Sequence, residues 1–136
     1  MTLHAFTIPV APKPLQTSGK RLVVVGGKPR FFKDKKASDY QKEIAFRARK
    51  HAPKSPHECA LLLSLDFFLP RPVRAKADLQ AVKRPDLDNL IKGTQDALSE
   101  FWKDDSQIIH LMSRKVYAAP DEQPRIVVRI TEAVGY

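Results

Sequence analysis

Apolar and polar positions change period several times along the chain, and each change marks an element. Residues 3–8 (LHAFTI) alternate loosely, as a half-buried strand does, and stop at Pro9, Pro12 and Pro14. Residues 9–20 follow as an irregular loop carrying Lys13 and Lys20. Arg21–Val25 and Arg30–Phe32 flank Gly26-Gly27-Lys28-Pro29, which predicts a β-hairpin with its glycines in the turn. From Asp34 to Ala52 the apolar period lengthens to that of a helix. Tyr40, Ile44, Ala45 and Ala48 point inward there, Asp34 or Ser38 supplies the cap, and Pro53 and Pro56 end it. Glu58–Leu69 returns to a period of two and is the most hydrophobic run, so it reads as the central strand. Leu61, Leu63, Leu65, Phe67 and Leu69 share one face; Ala60, Leu62, Ser64, Asp66 and Phe68 share the other. Ile108–Tyr117 and Arg125–Thr131 predict two more strands joined by Ala118–Pro124, with Ile126, Val128 and Ile130 toward the core.

Between the central strand and Ile108 lies the stretch Arg84–Ile108, RPDLDNLIKGTQDALSEFWKDDSQI. Pro85 holds Arg84 extended, and Asp86, Asp88 and Asn89 suit the first turn of a helix. Leu87, Leu90, Ile91, Thr94, Ala97, Leu98 and Phe101 then form one apolar stripe, while Asp88, Lys92 and Asp96 recur every fourth residue on another. Gly93 weakens a helix and so signals close packing or close approach. Lys103-Asp104-Asp105 reads as a polar turn into the next strand. The order is β, β-hairpin, α, β, α, β, β. This predicts one α/β (α+β) domain over residues 1–136, a mixed sheet with two helices packed on it.

Charge changes the picture. With 136 residues and a formal net charge of +9, the chain is one small basic domain suited to a polyanion such as nucleic acid. No apolar run approaches a membrane span and no signal-peptide pattern opens the chain, so no membrane partner and a cytosolic setting are expected. Cys59 stands alone, and His4, His51, His57 and His110 show no metal-ligand spacing. No glycine-rich phosphate loop is present, so no small-molecule cofactor is expected. The loop Pro70–Arg84 carries Arg71, Arg74, Lys76, Lys83 and Arg84 against Asp78 alone, and leads straight into the acidic stretch. It reads as a basic loop ordered by DNA, or else as a plain flexible connection. The hairpin and the outer face of the first helix are basic too, but exposed edges and solvated faces favour Lys and Arg in any case. Asp66, an acid on an apolar strand, is read first as a hydrogen-bonded structural group and second as support for a metal site.

The run DLDNLIK…DAL…FWKDDSQI resembles the central motif of the RusA-type Holliday junction resolvases, small metal-dependent DNA endonucleases. The matching positions are Asp86, Asp88, Asn89, Lys92, Asp96, Ala97, Leu98, Trp102, Asp104, Asp105, Gln107 and Ile108. The link Ser99-Glu100 before Trp102 is shorter than the family's.

The resemblance implies a homodimer that cuts a four-way DNA junction in the cytosol of a bacterial or phage-infected host. It also implies Mg²⁺ at Asp86, Asp88 and Asp105, with Mn²⁺ as the alternative ion. An all-carboxylate set suits such hard cations. Lys92 then meets the scissile phosphate, or else pairs with Asp88 or Asp96 on the helix surface. Asn89 and Asp96 are read as supporting or capping groups, and Asp104 as ligand or turn former. On the residues alone, a DNA-binding module without catalysis remains a rival, its acids serving as helix caps. So does a metal nuclease acting on flaps or forks.

Overall fold

The apolar run Leu61–Leu69 lies between two other strands and buries one of its faces, Leu61, Leu63, Leu65, Phe67 and Leu69, in the core. In chain order the elements are β1 (Thr2–Ile8), β2 (Lys20–Val25), β3 (Lys28–Lys33), α1 (Lys35–Arg49), β4 (Leu61–Leu69), α2 (Leu87–Ala97), β5 (Ile108–Tyr117) and β6 (Arg125–Glu132). The structure is a computed structural model; it describes residues 1–136 apart from 15–19, 34 and 77, and for 20–25, 29–33 and 35–37 it describes the backbone alone.

Four strands form one mixed sheet in the order β1-β6-β4-β5. β4 runs parallel to β5 and antiparallel to β6, and β6 antiparallel to β1. The parallel pair is joined through α2, as parallel neighbours require a crossover. β2 and β3 make a separate two-stranded ribbon.

Register gathers the core into rows. His4, Ile130, Leu63 and Leu111 stand side by side, then Phe6, Val128, Leu65 and Ser113, then Ile8, Ile126, Phe67 and Lys115. α1 covers this face with Tyr40, Ile44 and Ala48, and α2 with Leu90 and Thr94; Leu98 and Phe101 follow α2 into the core. Each fully buried Leu, Ile or Phe contributes about 1.5–3 kcal/mol over an exposed one, so this face, not helix propensity, holds the helices down. Gly93 is buried, and its carbonyl accepts from the Gln41 amide of α1 at 3.4 Å, which is the close approach its presence signals.

Several boundaries differ from the sequence reading. α1 ends at Arg49, not Ala52, because His51 and Ala52 donate to Ala48 and Arg49, three residues back, in a tightened last turn. Ser38 lies inside α1, so it is not the cap, and the alternative cap Asp34 lies outside the described residues. β4 starts at Leu61, because the backbone of His57 and Cys59 is bonded to the segment 101–107 instead of to a sheet neighbour. In the hairpin, Lys28 and Pro29 already pair with Val25 and Val24, leaving Gly26 and Gly27 as a two-residue turn at φ of 59° and 78°. Of the hairpin's basic side chains, Lys28 is exposed, and those of Lys20, Arg21, Arg30 and Lys33 lie outside the described residues.

On the outer face, Asp66 is in register with Arg114 and pairs with it at 3.3 Å. This is the structural role the sequence suggested. No helix among the described residues is long and apolar enough to cross a membrane.

Candidate active site

Arg84 and Pro85 lead the chain into α2 through a cis peptide bond. Asp86 occupies the N-cap position with extended backbone, yet its side chain makes no capping bond and has no ion-pair partner among the described residues. Asp88, in the first turn, accepts the Asn89 amide hydrogen on Oδ1 at 3.0 Å. Both acids stand at the positive end of the α2 dipole, which favours negative charge there. Beyond them the stripe Asp88, Lys92, Asp96 is solvent-exposed.

That stripe forms one wall of an open cleft of about 310 Å³, lined by Asp88, Ile91, Lys92, Gln95 and Asp96 from α2, with Leu111 of β5 and Asp105 opposite. Lys92 has no carboxylate within 4 Å among the described residues, although Asp88 and Asp96 sit one turn either side. Its charge is available to something outside the chain.

Asp105 is held from behind. After α2 the chain makes a 3₁₀ turn at Ser99–Phe101 and buries Trp102, whose indole N–H donates to Asp105 Oδ1 at 2.8 Å. A second 3₁₀ turn, Asp105–Gln107, is capped reciprocally: the Asp104 side chain accepts from the Ser106 backbone N–H, and Gln107 Oε1 accepts from the Asp104 backbone N–H, both at 2.8 Å. The Ser106 amide bond holds the Asp104 carboxyl below its ordinary range. Asp104 is therefore engaged as the turn former, one of the two roles its position allowed. The Gln107 amide group donates onward to the carbonyls of His57 and Cys59, at 2.7 and 3.0 Å. The motif residues Trp102, Asp104 and Gln107 thus fix where Asp105 stands.

Behind this turn the structure joins histidines that sequence spacing left scattered. His4 and His57 meet Nε2 to Nε2 at 2.8 Å, and the His51 ring stacks on Phe6 with centroids 4.5 Å apart. Burial, and then the neighbouring His57, lower the His4 pKa from its ordinary 6.5. As pH falls through 6.5 the unfolded chain takes up this proton before the folded one does, so stability is lost on the acid side. The melting temperature should fall as pH drops below 6.5. His4→Gln, which still hydrogen-bonds but does not titrate, should flatten that drop; an unchanged slope in thermal melts would assign it elsewhere.

The donor set fits a hard divalent cation. Mg²⁺ takes one or two protein carboxylates and completes its shell with waters and phosphate oxygens. Asp88 and Asp105 offer that pair on one cleft. Among the described residues no three of His, Cys, Asp and Glu converge closely enough to hold an ion. Asp86 is exposed and stands outside the described lining, whereas Asp96 stands within it. In the loop, Arg71 is engaged internally, donating to the carbonyls of Ala118 and Lys76 at 2.9 and 2.8 Å. Arg74, Lys76, Lys83 and Arg84 are exposed. Lys115 of β5, which the sequence reading passed over, donates to the carbonyls of Lys83 and Pro85. The signal for it was a lysine at an inward place in the alternation of β5.

Known proteins are similar in sequence to this chain over most of its length. The sequence model for endodeoxyribonuclease RusA matches residues 9–131, which takes in most of the N-terminal third as well as the acidic stretch. The crossover junction endodeoxyribonuclease rusA of Lactococcus phage r1t is 33% identical over 123 residues, spanning 88% of this chain and 90% of that protein. The uncharacterized protein YqaN of Bacillus subtilis (strain 168) is 28% identical over 132 residues, spanning 88% and 91%. With the motif residues standing where a carboxylate cleft needs them, the chain belongs to the RusA family of endodeoxyribonucleases.

Proposed function

We propose that the protein is a divalent-metal-dependent endonuclease that resolves four-way DNA junctions by cutting phosphodiester bonds. The observation that carries this reading is the cleft joining Asp88, Lys92 and Asp105 in a chain of this family. Asp88 and Asp105 are the metal ligands, with Asp86, whose side chain caps nothing, as the third acid. Mg²⁺, with Mn²⁺ as substitute, supplies a hydroxide-like water and neutralises phosphate charge when bound. Lys92 provides a point charge for the phosphate oxygens, and Trp102 occupies one Asp105 oxygen and leaves the other for the ion. The exposed Arg74, Lys76, Lys83 and Arg84 grip the backbone beside it, while Arg71 braces their loop.

The active form is a homodimer acting in the cytosol of a bacterial or phage-infected cell. β5 supports this assembly: it is a sheet edge of ten residues and exposes Ile109, Leu111 and Met112. Sedimentation at micromolar protein should give twice the monomer mass.

The test is incubation with Mg²⁺ and a labelled synthetic four-way junction, with duplex, flap and fork controls. Paired cuts in the junction support the reading. Binding without cutting would favour a non-catalytic DNA module, and preferred cutting of flaps or forks a nuclease of other branched DNA. Affinity should fall steeply with salt, log Kd changing by about 0.9 per decade of salt for each phosphate contacted. Filter-binding titrations that show near salt-independence would count against the basic surface as the grip.

A further inference from the structure

The row Ile8, Ile126, Phe67, Lys115 crosses the helix-facing side of the sheet, and its first three members are fully buried. The fourth carries an ammonium. An apolar side chain would suit that place, since a charge withdrawn from water is costly unless hydrogen-bonded. Its neighbour Arg114 belongs to the other face, where it pairs with Asp66. Lys115 has no carboxylate partner among the described residues; its Nζ donates to the main-chain carbonyls of Lys83 and Pro85, each at 2.8 Å. Those carbonyls bracket Arg84 and stand immediately ahead of Asp86 and Asp88.

β5 is therefore tied to both halves of the acidic set. It continues directly from the turn that carries Asp105, and through Lys115 it holds the backbone that launches α2. We propose that Lys115 is a positioning residue for the reaction. By tethering the Lys83–Pro85 backbone to β5, it sets where Asp86 and Asp88 stand relative to Asp105, and so how tightly the site takes its metal. It acts through the backbone and touches neither metal nor phosphate. The inference rests on the metal-dependent reading above.

Two readouts test it in the full-length protein. Lys115→Met keeps the length and suits the apolar row, and Lys115→Arg keeps donors in reach. Without metal or DNA, amide hydrogen exchange over residues 84–90 should accelerate in Lys115→Met and recover in part in Lys115→Arg. In single-turnover junction cleavage, the Mg²⁺ concentration giving half the maximal rate should rise about 10–100-fold in Lys115→Met, as when a group supporting a metal ligand is lost. Excess Mg²⁺ should then restore most of the rate. Unchanged exchange, an unchanged Mg²⁺ midpoint, or a rate loss that Mg²⁺ does not relieve would each overturn the proposal. If Lys115→Met does not fold, Lys115→Gln takes the same measurements. Wild-type protein that fails to cut any DNA with Mg²⁺ would sink the functional reading instead, while the exchange data would still report on the tether.

Discussion

Asp88→Asn and Asp105→Asn should each abolish junction cleavage while leaving binding intact or tighter. Neutralising either acid removes a proposed metal ligand from the cleft, and the loss of several kcal/mol of charge stabilisation is ~10³-fold in rate. The same change removes a negative charge that repels phosphate, so affinity should hold or improve. Neither substitution disturbs the core, because both side chains are exposed. Asp105→Asn still offers an amide oxygen to the Trp102 indole, so the turn should stand. Gel-shift affinity and Mg²⁺-dependent cleavage on one junction separate the two effects. Cleavage near the wild-type rate in either variant would remove that residue from the ligand set. Asp86→Asn tests the third acid, whose side chain makes no capping bond.

Lys92→Ala should fold normally, bind a junction within a few-fold of wild type and cleave ~10²–10³-fold more slowly, as when one donor to developing charge is lost. The structure sharpens this expectation. A lysine placed to stabilise α2 would pair with Asp88 or Asp96, and Lys92 pairs with neither although both are one turn away. Such a surface pair would contribute only a few tenths of a kcal/mol in any case, so helix stability does not explain the residue. Lys92→Arg should recover little, because a forked guanidinium does not place its charge where the ammonium sat. Single-turnover cleavage with enzyme in excess is the measurement, since it removes binding differences. An unchanged rate in Lys92→Ala returns the residue to the helix surface.

What was legible in the sequence was what has a period or a motif. The alternation Leu61, Leu63, Leu65, Phe67, Leu69 specifies its strand because one residue of slip would put five large side chains in water. The α2 stripe was equally plain. Asp88 and Lys92 were found as candidates because four-residue spacing and a family motif both mark them, Asp105 through the motif alone, and the structure puts all three on one cleft.

Long-range pairings left no local trace. Nothing in residues 1–10 announces that His4 will meet His57, and nothing near Trp102 announces that His57 will pair with it as an isolated bridge. The start of β4 was misplaced for the same reason: the backbone before it is bonded to a segment more than forty residues downstream, through the Gln107 side chain and the Phe101 carbonyl. Asp104 and Asp105 look alike in sequence, yet a reciprocal cap takes one and an indole hydrogen bond fixes the other. Lys115 escaped notice because a lysine in an edge strand is ordinary until the register shows which face it is on.

The parallel pairing of β4 with β5 has a consequence for how this protein can change. The acids, Lys92 and the Trp102 turn all fall within the single crossover that leaves β4 and returns as β5, and Lys115 of β5 reaches back to it. The remaining strands complete the core beneath it, and the hairpin and the Ala118–Pro124 connection lie outside it. The proposed grip, Arg74, Lys76, Lys83 and Arg84, lies in that same crossover, so grip and cutting centre travel as one continuous piece of chain. A chimera that receives a relative's whole β4–β5 segment should inherit that protein's choice of DNA and its metal requirement together, whereas one that receives the hairpin alone should keep its own.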